Sequence, residues 1–153
     1  MAAFHLQWPE QQTELHYSPP RALRCFTHRP RSLHALLDNA LAGHANHTAL
    51  VCDDQRLSYA ELDQRVGQLA ASWHEMGVQA GDRVALLLGN RIEFVLCLLA
   101  ATRLGAITVP LSIREQTPGL HYMLSHCAAV MLVFEASLAH VVPSNDSLPG
   151  LRW

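Results

Sequence analysis

Apolar positions follow three different rhythms along this chain. Between Ser58 and Val78 they form a helical stripe: Leu62, Val66, Leu69, Trp73 and Met76 stand at spacings of 4, 3, 4 and 3. Such spacing buries one side of a helix. Ser58, with Glu61 three residues on, makes a capping box at its start, in which two backbone N–H groups are satisfied reciprocally. Gly77 stands where a left-handed C-cap is needed, and Val78 can close back onto Trp73. At residues 84–88 the rhythm changes to an unbroken apolar run, and residues 106–111 and 129–134 have the same character. Runs without alternation fit strands covered on both faces, as in a parallel sheet. Two helical patterns separate these strands. Asn90 caps the first, with Glu93 three residues on, and Ile92, Val95, Leu96 and Leu99 form its inner face as far as Gly105. Thr117 caps the second, Pro118 suits its first position, and Leu120, Met123, Leu124 and Cys127 form its face. Strand, helix and strand in this order make a βαβ unit with a right-handed crossover.

The third rhythm is irregular. Pro9, Pro19, Pro20 and Pro30 interrupt residues 1–30, which predicts an extended arm without regular elements. Ser32 then caps a helix carrying Leu33, Leu36, Leu37 and Leu41 on one face, ended by Gly43. Residues 49–52 and 56–57, joined by Asp53-Asp54, read as a small β-hairpin. Residues 135–142 read as a short helix before Pro143, residues 144–150 as a polar turn, and 151–153 as the start of a further strand. The fold class expected is therefore α/β: a mainly parallel sheet flanked by helices, preceded by an extended arm and a β-hairpin. The domain boundaries expected are an arm over 1–30 and a partial domain over 31–153.

Composition narrows the function. Half of the 153 residues are apolar and 16% are charged, a balance that excludes a disordered chain. All 11 basic residues are Arg, against 13 acidic ones. Without Lys there is no Schiff base, ammonium base or phosphate-loop lysine. The charges make no basic stripe, so nucleic acid is not an expected partner. Cys25, Cys52, Cys97 and Cys127 lie at long, irregular gaps without a C-x-x-C, as reduced thiols of a cytoplasmic protein do. No apolar run is long enough to span a membrane.

Ten histidines invite a search for metal sites. His44 and His47 stand three apart in a loop with no third ligand signalled, and zinc needs three or four. His121 and His126 are five apart on a helix and face different ways, and Ser125 beside His126 is adjacency alone. The chain has no G-x-G-x-x-G and no G-x-x-x-x-G-K-[ST]. The turn at Gly89-Asn90 offers backbone N–H groups to an anion, but one glycine makes a compact cap rather than a cradle. No catalytic, cofactor-binding or metal residue is assigned.

From Leu33 onward the sequence resembles the N-terminal region of the adenylate-forming acyl-CoA synthetase superfamily, the AMP-binding enzymes. The resemblance runs through Leu57-Ser58-Tyr59-Ala60-Glu61-Leu62, Met76-Gly77-Val78 and Gly81-Asp82-Arg83-Val84-Ala85. It continues in Glu93-Phe94-Val95, Leu104-Gly105-Ala106-Ile107-Thr108-Val109-Pro110-Leu111, Tyr122-Met123-Leu124 and Leu148-Pro149-Gly150-Leu151-Arg152. Gly105–Leu111 with Ser112-Ile113-Arg114 is more similar to acyl-CoA ligases, fatty or other, than to peptide-synthetase adenylation domains. Gly119 stands where the family has an acidic residue at a helix start, which implies a loosely begun helix.

The resemblance implies ATP-dependent activation of a carboxylic, possibly fatty, acid through an acyl-adenylate, then transfer to coenzyme A, with ATP, Mg2+ and coenzyme A as cofactors of the full enzyme. The family's Ser/Thr/Gly-rich phosphate loop with Pro-Lys-Gly does not occur in this chain. The expectation is an N-terminal fragment, truncated before that loop and inactive alone. Two alternatives stand beside it. One is a non-enzymatic interaction module or remnant derived from this fold, which self-associates or binds a partner through exposed apolar surface. The other is a free-standing nucleotide-binding domain.

Overall fold

A computed structural model describes residues 9–152. It divides into two compact units, Met1–Arg31 and Ser32–Trp153.

In the first unit, strands β1 (Gln11–His16) and β2 (Arg21–Phe26) pair antiparallel, from Gln11 opposite Phe26 to His16 opposite Arg21. This corrects the irregular arm expected over 1–30, of which residues 1–8 lie outside the described residues. The prolines fall outside both strands, at 19 and 20 in the connecting turn and at 9 and 30 in the flanks, so no ladder N–H is missing. Among the described residues, little apolar burial supports this hairpin: Leu15 is 73% exposed and Tyr17 76%. Arg29 donates to both oxygens of Glu14 at 2.7 Å and to the Phe26 carbonyl at 3.0 Å. That guanidinium, with Gln12 behind it, holds the Glu14 carboxyl down to about 2.

The second unit begins with α1 (Leu33–His44), where the Ser32 hydroxyl accepts from the Ala35 N–H. The helix runs through Gly43, which does not end it. Only Leu37 of its apolar set is buried, and Leu33 and Leu36 are exposed. The expected hairpin is present as β3 (Thr48–Cys52) and β4 (Gln55–Ser58). In α2 (Tyr59–Glu75) the capping box between Ser58 and Glu61 is complete, and Leu62, Val66, Ala70 and Trp73 are buried. Its end is a Schellman motif. Gly77 takes a left-handed φ of 86°, its N–H bonds the His74 carbonyl, and the Val78 N–H bonds that of Trp73 at 2.9 Å.

Strands β5 (Arg83–Leu87), β6 (Ile107–Pro110) and β7 (Ala129–Phe134) form a parallel sheet in the order β6-β5-β7. Helices α3 (Ile92–Arg103) and α4 (Thr117–His126) connect them. Alternation along β5 explains the layers. Val84 and Leu86 join α2 and α3 in one core, whereas Ala85 and Leu87 join α4 in another. Being covered twice, β5 is wholly apolar and buried from Val84 to Leu87. Pro110 is tolerated because β6 is an edge strand; the neighbouring Leu111 N–H bonds the Leu86 carbonyl of β5, and the Ile107 N–H bonds the Asp82 carbonyl just before it. Arg152 pairs with Met131 beside β7 in parallel, where residues 151–153 were expected to start a strand; Trp153 lies outside the described residues.

Several local expectations are corrected. The N-cap of α3 is Arg91 rather than Asn90; of the inner face expected for it, Ile92 is buried and Leu96 and Leu99 are half-buried against the core, Val95 is not part of that core, and Cys97, Ala100 and Ala101 are buried beside them. The most buried of these positions carry small side chains, where α3 packs closely on α2. Gln116, not Thr117, is the N-cap of α4, and no side chain caps it. Residues 136–141 form a 3-10 helix. Across α2 and α3 Arg103 pairs with Asp63, and a Cβ at Gly67 would lie 2.9 Å from the Arg103 guanidinium, so glycine gives it room.

Candidate functional site

Helix α3 leaves β5 toward one face of the sheet, and the 3-10 helix after β7 packs its Val141 on the other. In open α/β sheets, a crevice forms beyond the carboxyl ends of strands whose connections diverge in this way, and ligands bind there. Here the crevice holds about 300 Å3, with Gly89 and Glu135 at its base, each just past a strand end. A larger cleft of about 400 Å3, bordered by Ala128, Ala129 and Pro149, lies at the opposite end of the sheet. No ionisable side chain lines it, whereas Asp53, Arg91, Glu93 and Glu135 line the smaller crevice.

One anion already occupies the Gly89 turn. The Gly89 N–H donates to Glu135 Oε1 at 2.6 Å, and the Ser137 hydroxyl approaches Oε2 at 3.4 Å. Arg91 Nη1 lies 3.7 Å from Glu135 Oε2, while its Nε donates to Glu93 at 2.7 Å. The Arg91 guanidinium holds the Glu93 carboxyl below the usual carboxylate range, and Glu93 in turn raises Arg91. Asp53 lines the same crevice, so three carboxylates face one guanidinium that is already engaged. This donor set does not fit a polyphosphate. ATP would meet excess negative charge, and the backbone donor it needs is taken.

Sequence reasoning found the Gly89 turn but missed Glu135, read only as the start of a short helix. The missing information was strand order, which brings a residue 46 positions away to the neighbouring strand end. The histidine readings can be placed as well. His44 and His47 are exposed with rings stacked at 5.0 Å, His121 meets the Ser147 carbonyl, and His126 stacks on Tyr122. None of these joins a three-ligand cluster among the described residues.

A parallel sheet wound on both faces, with its crevice at the carboxyl strand ends, places the Ser32–Trp153 unit among doubly wound α/β proteins. Comparison with known proteins then gives the family. The AMP-binding enzyme family matches residues 37–151, and the chain belongs to it. A medium/long-chain-fatty-acid–CoA/3-oxocholest-4-en-26-oate–CoA ligase of Mycobacterium marinum is 32% identical over 117 residues, which are 74% of this chain and 21% of that protein. Tyrocidine synthase 2 of Brevibacillus parabrevis is 36% identical over 102 residues, 67% of this chain and 3% of that protein. The crystal structure of the anthranilate CoA ligase AuaEII in complex with anthranoyl-AMP superposes with a TM-score of 0.75 at 26% identity, over 78% of this chain and 23% of that one. The chain thus spans about a fifth of the length of the CoA ligases it matches, and it corresponds to their N-terminal region. Among the described residues, no helix is long and apolar enough to cross a membrane.

Proposed function

We propose that this chain is the N-terminal scaffold portion of an ATP-dependent carboxylate–CoA ligase and does not run that reaction by itself. In the whole enzyme a carboxylate attacks the α-phosphorus of ATP, pyrophosphate leaves, and a thiol displaces AMP from the acyl-adenylate. ATP, Mg2+ and coenzyme A belong to that whole enzyme. The observation that carries the reading is the crevice: it lies where a doubly wound sheet binds its ligand, yet its backbone donor is bonded to the chain's own Glu135. The role left to residues 31–153 is packing, a two-faced sheet that holds neighbouring segments in place. An acyl-CoA ligase fits better than a peptide synthetase, because residues 105–114 resemble the former. A fatty or other carboxylic acid is the substrate class. The cytoplasm is the compartment we favour, a reading supported by four cysteines that form no disulfide.

The test is ATP–pyrophosphate exchange by the purified chain with a panel of short, long and aromatic acids. The expected result is exchange at the blank level for every acid. Exchange above blank with any of them would overturn the proposal.

A second reading is favoured by one observation. Leu33 and Leu36, one turn apart on α1, are 56% and 57% exposed. That surface suits a non-enzymatic interaction module that binds a partner or itself. Sedimentation of a single monomeric species at high concentration, without binding of a hydrophobic dye, counts against it.

A further inference from the structure

We infer that the N-terminal hairpin is a binding site for a zinc-type divalent transition-metal ion, held by Glu14, His16 and Cys25. Glu14 and His16 are two apart on β1 and share a face of the hairpin. Cys25 enters the same face from β2, where it stands opposite Gln12. Three chemically different donor atoms converge there. His16 Nε2 lies 3.1 Å from Glu14 Oε2 and 3.8 Å from Cys25 Sγ, and all three donors lie within 4.8 Å of one another. A tetrahedral zinc ion, with bonds of about 2.0–2.3 Å, sets its ligands about 3.3–3.6 Å apart. The hairpin therefore presents three corners of the tetrahedron with little rearrangement, and all three residues are half-buried rather than waving in solvent.

The surroundings support the ligands. Arg29 fixes the Glu14 carboxylate through both oxygens and is itself tied to the Phe26 carbonyl. A carboxylate oxygen has lone pairs for a guanidinium and a metal together, so Arg29 acts as the outer partner that orients a ligand. The ion takes the position of the proton that His16 Nε2 now shares with Glu14. His16 then carries its proton on Nδ1, Glu14 binds as the carboxylate, and the Cys25 thiol releases one proton to solvent. The fourth position remains for water. Thiolate, imidazole and carboxylate together favour zinc or cobalt over magnesium or calcium, which seek oxygen alone. The set has nothing to do with the crevice at Gly89, and it does not depend on the proposed function.

Cobalt(II) titration of the full chain tests the inference, because a cobalt–thiolate bond gives a near-ultraviolet charge-transfer band and a tetrahedral site gives visible bands. The expected result is one Co2+ per chain, displaced by Zn2+. Cys25→Ser should abolish the charge-transfer band, and His16→Gln and Glu14→Gln should each weaken affinity at least tenfold. Cys52→Ser, in the other unit, should leave band and affinity unchanged. A wild-type chain without the band, or a Cys25→Ser chain that keeps it, would overturn the site.

Discussion

The hairpin of residues 11–26 and the sheet of residues 83–134 are both β-structure, and they are held by different forces. The sheet has a side chain of β5 buried at every step from Val84 to Leu87, with helices on both faces. Among the described residues the hairpin has no such core, and its tightest side-chain contact is an ion pair, Arg29 on Glu14 at 2.7 Å. Apolar burial scales with area and makes a unit that melts cooperatively. Ion pairs at an exposed surface contribute little to stability but fix geometry. One region is thus built to be stable, the other to hold a few polar atoms in register.

The largest effect should come from the sheet. Leu86→Ala removes a fully buried side chain from the core shared with α2 and α3, and it should cost about 3 kcal/mol in urea unfolding. A cost near zero would mean that β5 is not the centre of the fold. Gly77→Ala should come next, at about 1 kcal/mol, because a Cβ resists a φ of 86° even where the nearest atoms leave it space.

A slighter effect is confined to alkaline solution. Burial, with Glu93 adding to it, pushes the Cys97 thiol from 9.0 up to about 11. The folded chain binds this proton more tightly than the unfolded one, so its contribution is whole below pH 9 and lost as pH rises through about 11. Between those values Cys97→Ala should lose less stability than the natural chain, measured by melting temperature. The smallest effect should be Leu15→Ser. At 73% exposure on the hairpin, it should change stability by less than about 0.5 kcal/mol. A drop as large as that of Leu86→Ala would erase the contrast between the two regions.

The same contrast explains what could be read from the chain. Burial writes itself as periodicity, so α2, its capping box, its Gly77 end and the three parallel strands were legible as elements, although Met76 of the expected stripe is exposed and β6, expected to be covered on both faces, carries an exposed Ile107. Close packing is less legible. On α3 the periodicity picks out Ile92, Leu96 and Leu99, which do meet the core, but not Cys97, Ala100 and Ala101, which are buried where α2 comes near. The hairpin was illegible for a different reason. Its prolines read as breakers, and whether they fall inside strands or between them depends on register. The pairings Glu135 with Gly89 and Cys25 with His16 depend on tertiary and cross-strand neighbours that spacing does not encode. The family resemblance supplied fold and lineage; of the crevice it carried Glu93, without a role for it, and not Glu135.

The central claim is that the crevice at the carboxyl strand ends is closed to nucleotide by the chain's own Glu135. Isothermal calorimetry of MgATP titrated into the purified chain, up to millimolar nucleotide, tests it most directly. The account predicts heats of dilution alone. A saturable one-site isotherm would contradict it.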